Sequence, residues 1–200
     1  MTFRDVHTHN IQAPPGSLIC LPPEVLACGP QAFAWRPGAA YSVGLHPWYV
    51  PADWSAALSG LEAWLTHPQV VALGECGLDR LTATPYDLQL RAFRAQLRLA
   101  QAHRLPLVIH CVRAWDDVLA LLRQEGPWTE PVLIHGFRGK PQQAHQLLAH
   151  GLSLSFGPRF NAESLRLCPP DRRYAETDDS GLPITHVEAL QREALAASGA

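Results

Sequence analysis

Charge is scarce in this chain, and lysine is almost absent. Lys140 is the single lysine among 200 residues, and Asp, Glu, Lys and Arg together supply 17% of the sequence. With a net charge of −2, no bulk positive field draws in nucleic acid. Any phosphate binding must be local, through metal ions or a few arginines. Cys-x-x-Cys does not occur. The cysteines (Cys20, Cys28, Cys76, Cys111 and Cys168) are odd in number, which argues against a disulfide framework and fits a reducing compartment. Apolar runs of membrane-spanning length are missing. The opening Met-Thr-Phe-Arg-Asp leads straight into a strand pattern and leaves no room for a signal peptide. The expectation is a cytoplasmic protein with no membrane association and no evident obligate protein partner. Internal repeats, low-complexity stretches and interdomain linkers are lacking too. Against these absences stands a hydrophobic content of 47%, enough for one domain over residues 1–200 with a sizeable core.

The chain is organised around Asp5-Val6-His7-Thr8-His9. In a strand, residues i and i+2 share a face, so His7 and His9 can aim both imidazoles at one point, as a metal site needs. Further short strands are expected at Ser17–Leu21, Ala40–Leu45, Val70–Leu73, Leu105–Ile109, Val132–Ile134, Leu152–Phe156 and Arg172–Thr177. Apolar spacing predicts helices over Trp54–Leu65, Tyr86–His103, Trp115–Leu122, Gln142–His150 and His186–Ala197, with at most a short one over Glu163–Leu167. Between Glu24 and Arg36, Gly29 and Pro30 allow no more than a turn of helix. Runs of Val, Ile and Leu without strict alternation fit strands covered on both faces. Eight such strands, mostly alternating with helices, predict an α/β fold: a TIM-like (β/α)8 barrel. Its helix after strand 2 would be shortened or irregular and its C-terminal end short.

Ligand-type residues close several of these strands: His7 and His9, Glu75, His110, His135 and Asp178. On a barrel, strand ends converge on one mouth. Four imidazoles and two carboxylates there are not explained by core packing, because buried charged groups need partners. By contrast, His67, His103, His145, His150 and His186 fall on helices or loops and read as surface residues.

The motifs Asp-Val-His-Thr-His (5–9), Gly-Leu-His-Pro (44–47), Gly-Glu-Cys-Gly-Leu-Asp (74–79), Ile-His-Cys-Val-Arg (109–113), Ile-His-Gly-Phe-Arg-Gly (134–139) and Glu-Thr-Asp (176–178) occur in that order. In this series the sequence resembles the TatD family of metal-dependent hydrolases, within the amidohydrolase superfamily of TIM-like barrels. The resemblance implies that His7, His9, Glu75 and Asp178 hold one divalent ion. Glu75 would bridge to a second, held with His110 and His135. It also implies metal-dependent DNase activity, with Asp178 and Glu75 as catalytic carboxylates and DNA, single-stranded or at its ends, as the substrate partner. Two ions about 3.5–4 Å apart clamp the attacking and leaving oxygens of a phosphodiester, and such ions lower the pKa of bound water toward about 7. Asp178 can orient that water and take its proton. One or two ions of Zn, Mn or Mg would serve. The chain departs from the family pattern at Gly136-Phe137-Arg138-Gly139, where Cys-Phe-Ser-Gly is usual, and at Asp179-Ser180, where Ala-Pro is usual. Both positions bear on substrate choice, which loops at the mouth set.

Other positions carry two readings. His46 is either a substrate contact or a hydrogen-bonding support. Arg113, Arg138, Lys140 and Arg159 either meet phosphates or are solvated charges. Asp79, Glu176 and Asp179 can orient ligands. Cys76 and Cys111 read as buried small apolar residues. Two alternatives to a nuclease stand beside it: a hydrolase of C–N or ester bonds, and a catalytically silent metal-binding protein.

Overall fold

Eight parallel strands form one sheet in the order β1 to β8. A computed structural model describes residues 3–197. The strands are β1 (Asp5–Thr8), β2 (Ser17–Cys20), β3 (Ala40–Val43), β4 (Val70–Asp79), β5 (Leu107–Val112), β6 (Val132–Ile134), β7 (Ser153–Phe156) and β8 (Arg173–Ala175). Among the described residues the helices are α1 (Pro23–Leu26), α2 (Trp54–Leu65), α3 (Tyr86–His103), α4 (Trp115–Glu125), α5 (Pro141–Ala149), α6 (Ala162–Leu167) and α7 (Ile184–Ala196). This is the expected (β/α)8 barrel. The connection from β1 to β2 is too short and too rich in Pro and Gly for a helix. After β2, α1 is a single turn, stopped before Gly29 and Pro30. None of these helices is long and apolar enough to cross a membrane.

The barrel closes through side chains as well as backbone. A parallel bridge pairs Thr8 with Asp178. Asp5, buried beneath it, accepts the Thr177 N–H at 3.0 Å and the Thr177 hydroxyl at 2.7 Å. The Thr8 and Thr177 hydroxyls meet at 2.8 Å.

Apolar residues on neighbouring strand positions go to two different packed groups. Leu18, Ala72, Val108 and Leu133, with Val6, form one group to which no helix contributes, and it fills the barrel interior. Ile19, Leu73, Ile109 and Ile134 belong to the larger group with Leu61, Trp64, Phe93, Leu97 and Leu147 of the helices. Burial of each such side chain contributes about 1.5–3 kcal/mol. Helices α2 and α3 have the ends that their apolar spacing predicts, and Asp53 caps α2 by accepting the Ala56 N–H.

Three boundaries differ from expectation in ways that matter. Strand β4 does not stop at Leu73 but runs on to Asp79, because each residue from Cys76 to Asp79 pairs with β5. Glu75 is therefore mid-strand. Strand β5 starts later than Leu105 and passes through His110 to Val112. Helix α7 begins at Ile184, two residues early, because Pro183 is well suited to precede a helix.

Candidate metal centre and active site

The interior face of each strand leads upward into the site. His110 and His135 lie two residues beyond the interior residues Val108 and Leu133, so simple alternation brings them to the mouth. Alternation fails for Glu75, three residues beyond Ala72. In the pairing of β4 with β5, Leu73 faces Leu107 while Cys76 faces Ile109, so β4 holds one extra residue there. That irregularity re-aims Glu75 inward. The pairing of β1 with β2 holds a similar extra residue, Asp5 facing Ser17 and Thr8 facing Ile19, and it re-aims His7. His9 lies just past the end of β1. Close approach of the chains demands glycine on both sides of Glu75. A Cβ on Gly44 would lie 2.6 Å from the Glu75 carbonyl oxygen, and one on Gly77, at φ +144°, 2.0 Å from that of His110.

Glu75 is the hub. Its Oε2 lies 3.3 Å from His7 Nε2 and 3.4 Å from His9 Nε2. Its Oε1 lies 3.1 Å from His46 Nε2, 2.7 Å from His110 Nδ1 and 2.6 Å from His135 Nε2. Asp178 Oδ1 completes the first side, 3.8 Å from His7 Nε2 and 3.5 Å from His9 Nε2. The six residues expected as ligands thus gather at one mouth, split between the two oxygens of one carboxylate.

Electrostatics follow from this packing. Burial alone would raise the Glu75 carboxyl, but His135, His110 and His46 around it hold it well below the usual carboxylate range. Burial would lower His135, yet the carboxylates of Glu75 and Glu176 on its two sides hold it well above the ordinary imidazole value. The hydrogen bond to Glu75 raises His9. Burial lowers His46. His46 Nδ1 accepts the Trp48 N–H at 3.1 Å, so its neutral ring carries the proton on Nε2 and donates to Glu75. His46 therefore supports Glu75.

Three features fit a divalent cation. His7 is fully buried, and neither of its ring nitrogens has a hydrogen-bond partner. His110 turns Nδ1 to Glu75 and Nε2 to Asp79 Oδ2 at 3.2 Å, and His135 turns Nδ1 toward Glu176 Oε1 at 3.7 Å. A carboxylate behind a ligating imidazole is the usual way its ring is oriented. Groups of His, Cys, Asp and Glu able to hold an ion recur here, among them His7, His9 and Asp178.

A cavity of about 460 Å³ opens over these groups, with His46, Trp48 and Tyr49 on its wall. Four carboxylates line it, from Glu24, Glu75, Asp178 and Asp179, and none of the described arginines or the lysine does. Arg113, Arg138, Lys140 and Arg159 are exposed and stand off that wall. Cys76 is buried as expected, whereas Cys111 is only partly so. His67 is half-buried, stacked on Trp35 with ring centroids 3.4 Å apart. His103 is half-buried near Glu62, and His145, His150 and His186 are exposed.

Sequence reasoning missed four contributors. Cys20, at the end of β2, groups with His7 and Glu75, and burial pushes its thiol up to about 12. The rule that selected strand-end histidines would have found it. Gln96 holds both backbone groups of Leu45, beside His46, and Gln89 holds both of Asp79. Both glutamines are buried on α3, where helical spacing gives a polar residue no sign of purpose. Trp48 donates its indole N–H to Asp79 Oδ2 at 2.6 Å.

A family model described as TatD related DNase matches residues 32–186. A Cronobacter turicensis protein named 3'-5' ssDNA/RNA exonuclease TatD is 38% identical over 163 residues, covering 74% of this chain and 60% of that protein. A Pantoea protein of the same name is 36% identical, covering 72% and 59%. Bacillus subtilis YabD, named an uncharacterized metal-dependent hydrolase, is 32% identical, covering 68% and 57%. This chain thus spans about three fifths of the length of the curated relatives it matches. Among solved structures, the TatD homologue YJJV from Escherichia coli aligns with a TM-score of 0.77 at 24% identity, covering 96% of this chain and 90% of that one. That likeness bears on the fold alone. With the family model spanning most of its length, this chain belongs to the TatD related DNase family.

Proposed function

We propose that this chain is a divalent-metal-dependent nuclease that hydrolyses phosphodiester bonds in single-stranded nucleic acid. The observation that carries this reading is the division of Glu75 between two clusters: Oε2 toward His7, His9 and Asp178, Oε1 toward His110 and His135. These six residues would hold one or two ions of Zn, Mn or Mg. When bound, such ions supply Lewis acidity to the phosphoryl oxygens and lower the pKa of water. Asp178, one fifth exposed and open to the cavity, takes the proton of the attacking water. The water oxygen attacks phosphorus, the P–O ester bond breaks, and the leaving oxygen takes up a proton. His46 and Asp79 keep Glu75 and His110 in place. The names of the relatives support single-stranded DNA or RNA as substrate and attack from the 3' end.

A second reading has one observation in its favour. The cavity wall carries no cationic side chain among the described residues, so nothing but bound metal selects a phosphate over a neutral ester or amide. Metal analysis followed by digestion of a single-stranded oligonucleotide with Mg, Mn and Zn separates the two. The expected result is metal-dependent shortening of the oligonucleotide, abolished by chelation with little change in circular dichroism, because a core of this size is expected to hold the barrel without metal. A metal-loaded chain that leaves the oligonucleotide intact but hydrolyses esters or cyclic amides would overturn the nuclease reading.

A further inference from the structure

The cavity rim holds an exposed aromatic surface beside the hydrolytic groups. Trp48 is 52% exposed and Tyr49 59%. Exposed tryptophan is ordinarily mobile, but this one is pinned at three points. Its indole N–H donates to Asp79 Oδ2 at 2.6 Å, its backbone N–H donates to His46 Nδ1 at 3.1 Å, and its carbonyl accepts the Thr84 hydroxyl at 3.1 Å. The ring edge also meets His46 at near right angles, centroids 5.0 Å apart, and lies 5.9 Å from the His110 ring. A large apolar side chain held rigid with about half its surface in water is a preformed contact surface. A second cavity of about 310 Å³ shares His46 and Tyr49 with the first and is lined also by Leu26, Leu45, Pro51 and Leu61 and by no Asp, Glu, Lys or Arg.

The lining of the main cavity says which part of a nucleotide this surface takes. Glu75 and Asp178 would be offset by bound ions, but Glu24 and Asp179 remain, and no arginine or lysine on the wall attracts a phosphate away from those ions. Beyond the scissile phosphate at the ions, affinity for a strand must therefore come from elsewhere than the backbone. A nucleobase stacks on an aromatic face without regard to sequence and without needing a cation.

We propose that Trp48 is a base-stacking residue, which seats the nucleobase beside the scissile phosphodiester and so sets a preference for unpaired ends. This rests on the nuclease reading above. The indole that carries the base is hydrogen-bonded to Asp79, which contacts His110 Nε2 at 3.2 Å. Base stacking and orientation of a ligand-type histidine thus meet in one side chain.

The test compares Trp48→Ala and Trp48→Phe on two short single-stranded oligonucleotides, one intact and one abasic at its two 3'-terminal positions. Binding is read by fluorescence anisotropy with Mn in an Asp178→Asn background, and KM and kcat in the otherwise unaltered chain. Trp48→Ala should weaken binding of the intact oligonucleotide by about 5- to 150-fold more than that of the abasic one, the range for losing one stacked base, since loss of the Asp79 anchor is common to both. Trp48→Phe keeps a ring but loses the N–H to Asp79, so it should retain most of the preference for the intact over the abasic oligonucleotide. A purely structural loss would instead weaken both oligonucleotides alike. If Trp48→Ala costs the same on both, or nothing on either, while the parent still digests the intact strand, the stacking role is overturned and the nuclease reading stands. A parent that neither binds nor digests either oligonucleotide overturns both.

Discussion

Asp178 and His9 are joined through their backbones: the Asp178 carbonyl accepts the His9 N–H at 3.2 Å, while the Asp178 N–H donates to the carbonyl of His7 at 3.0 Å. The clamp holds Asp178 at φ 52°, a left-handed conformation that few residues other than glycine adopt and that Asp and Asn tolerate best. It turns the carboxylate toward His7 and His9.

Asp178→Asn suits the same backbone conformation, so the variant should fold. It keeps a carbonyl acceptor but loses the basicity. On an oligonucleotide at saturating Mn, kcat should fall by at least about 10²-fold with metal still bound. Near-parental turnover would remove Asp178 from its role as base.

Glu75→Gln acts differently. Five imidazoles, from His7, His9, His46, His110 and His135, approach its two oxygens within 3.4 Å. A neutral amide cannot balance two divalent charges. Metal analysis should show reduced occupancy throughout the site; two ions per chain in Glu75→Gln would end the bridging role.

Closure of the barrel can be weakened without touching a ligand-type residue. Thr177→Val removes the hydroxyl that bonds Asp5 and Thr8 and leaves the buried Asp5 carboxylate short of a donor. It should destabilise the chain by about 1–3 kcal/mol in urea unfolding, with Thr177→Ser losing less. Equal stability of Thr177→Val and the parent would show that the backbone bridge suffices.

The pH dependence of the metal-free protein follows from opposed shifts. Glu75 is held low, so its contribution is present above the ordinary carboxylate value of about 4.3 and is lost as pH falls through the depressed value. His135 is held high, so its contribution is complete below about 6.5 and is lost as pH rises through the raised value. Tm of the metal-free protein should be greatest between about pH 4.5 and 6.5. Metal requires neutral imidazoles, so the gain in Tm on adding metal should widen at higher pH. A metal-free Tm that climbs steadily from pH 6 to 9 would contradict this.

Much of this was legible in the sequence, and what was not has identifiable causes. Helices α2 and α3 announce themselves because burial on one side repeats every 3.6 residues. The strand-end histidines stand out because imidazoles are out of place beside Val, Ile and Leu. Yet simple alternation, sound for His110 and His135, would have turned Glu75 outward, since one extra residue in β4 is invisible without its partner strand. Trp64, fully buried, falls outside the i, i+4, i+7 spacing of Trp54, Leu58, Leu61 and Leu65 that marks α2 in the sequence. The purposes of Gln89 and Gln96 depend on loops that only tertiary packing brings near. For Trp48, neither spacing nor residue type signals that its ring is anchored to Asp79.

Because the barrel is shut by Thr8 against Asp178, the first and last parts of the site are separated in the chain by all the strands between β1 and the end of β8. A growing polypeptide carries His7 and His9 out of the ribosome early, but the carboxylate that faces them is added only after all eight strands have been made. Until then the candidate metal centre is missing a wall. A chain that stops short of Asp178 should accordingly lack a complete site, however well its first strands form.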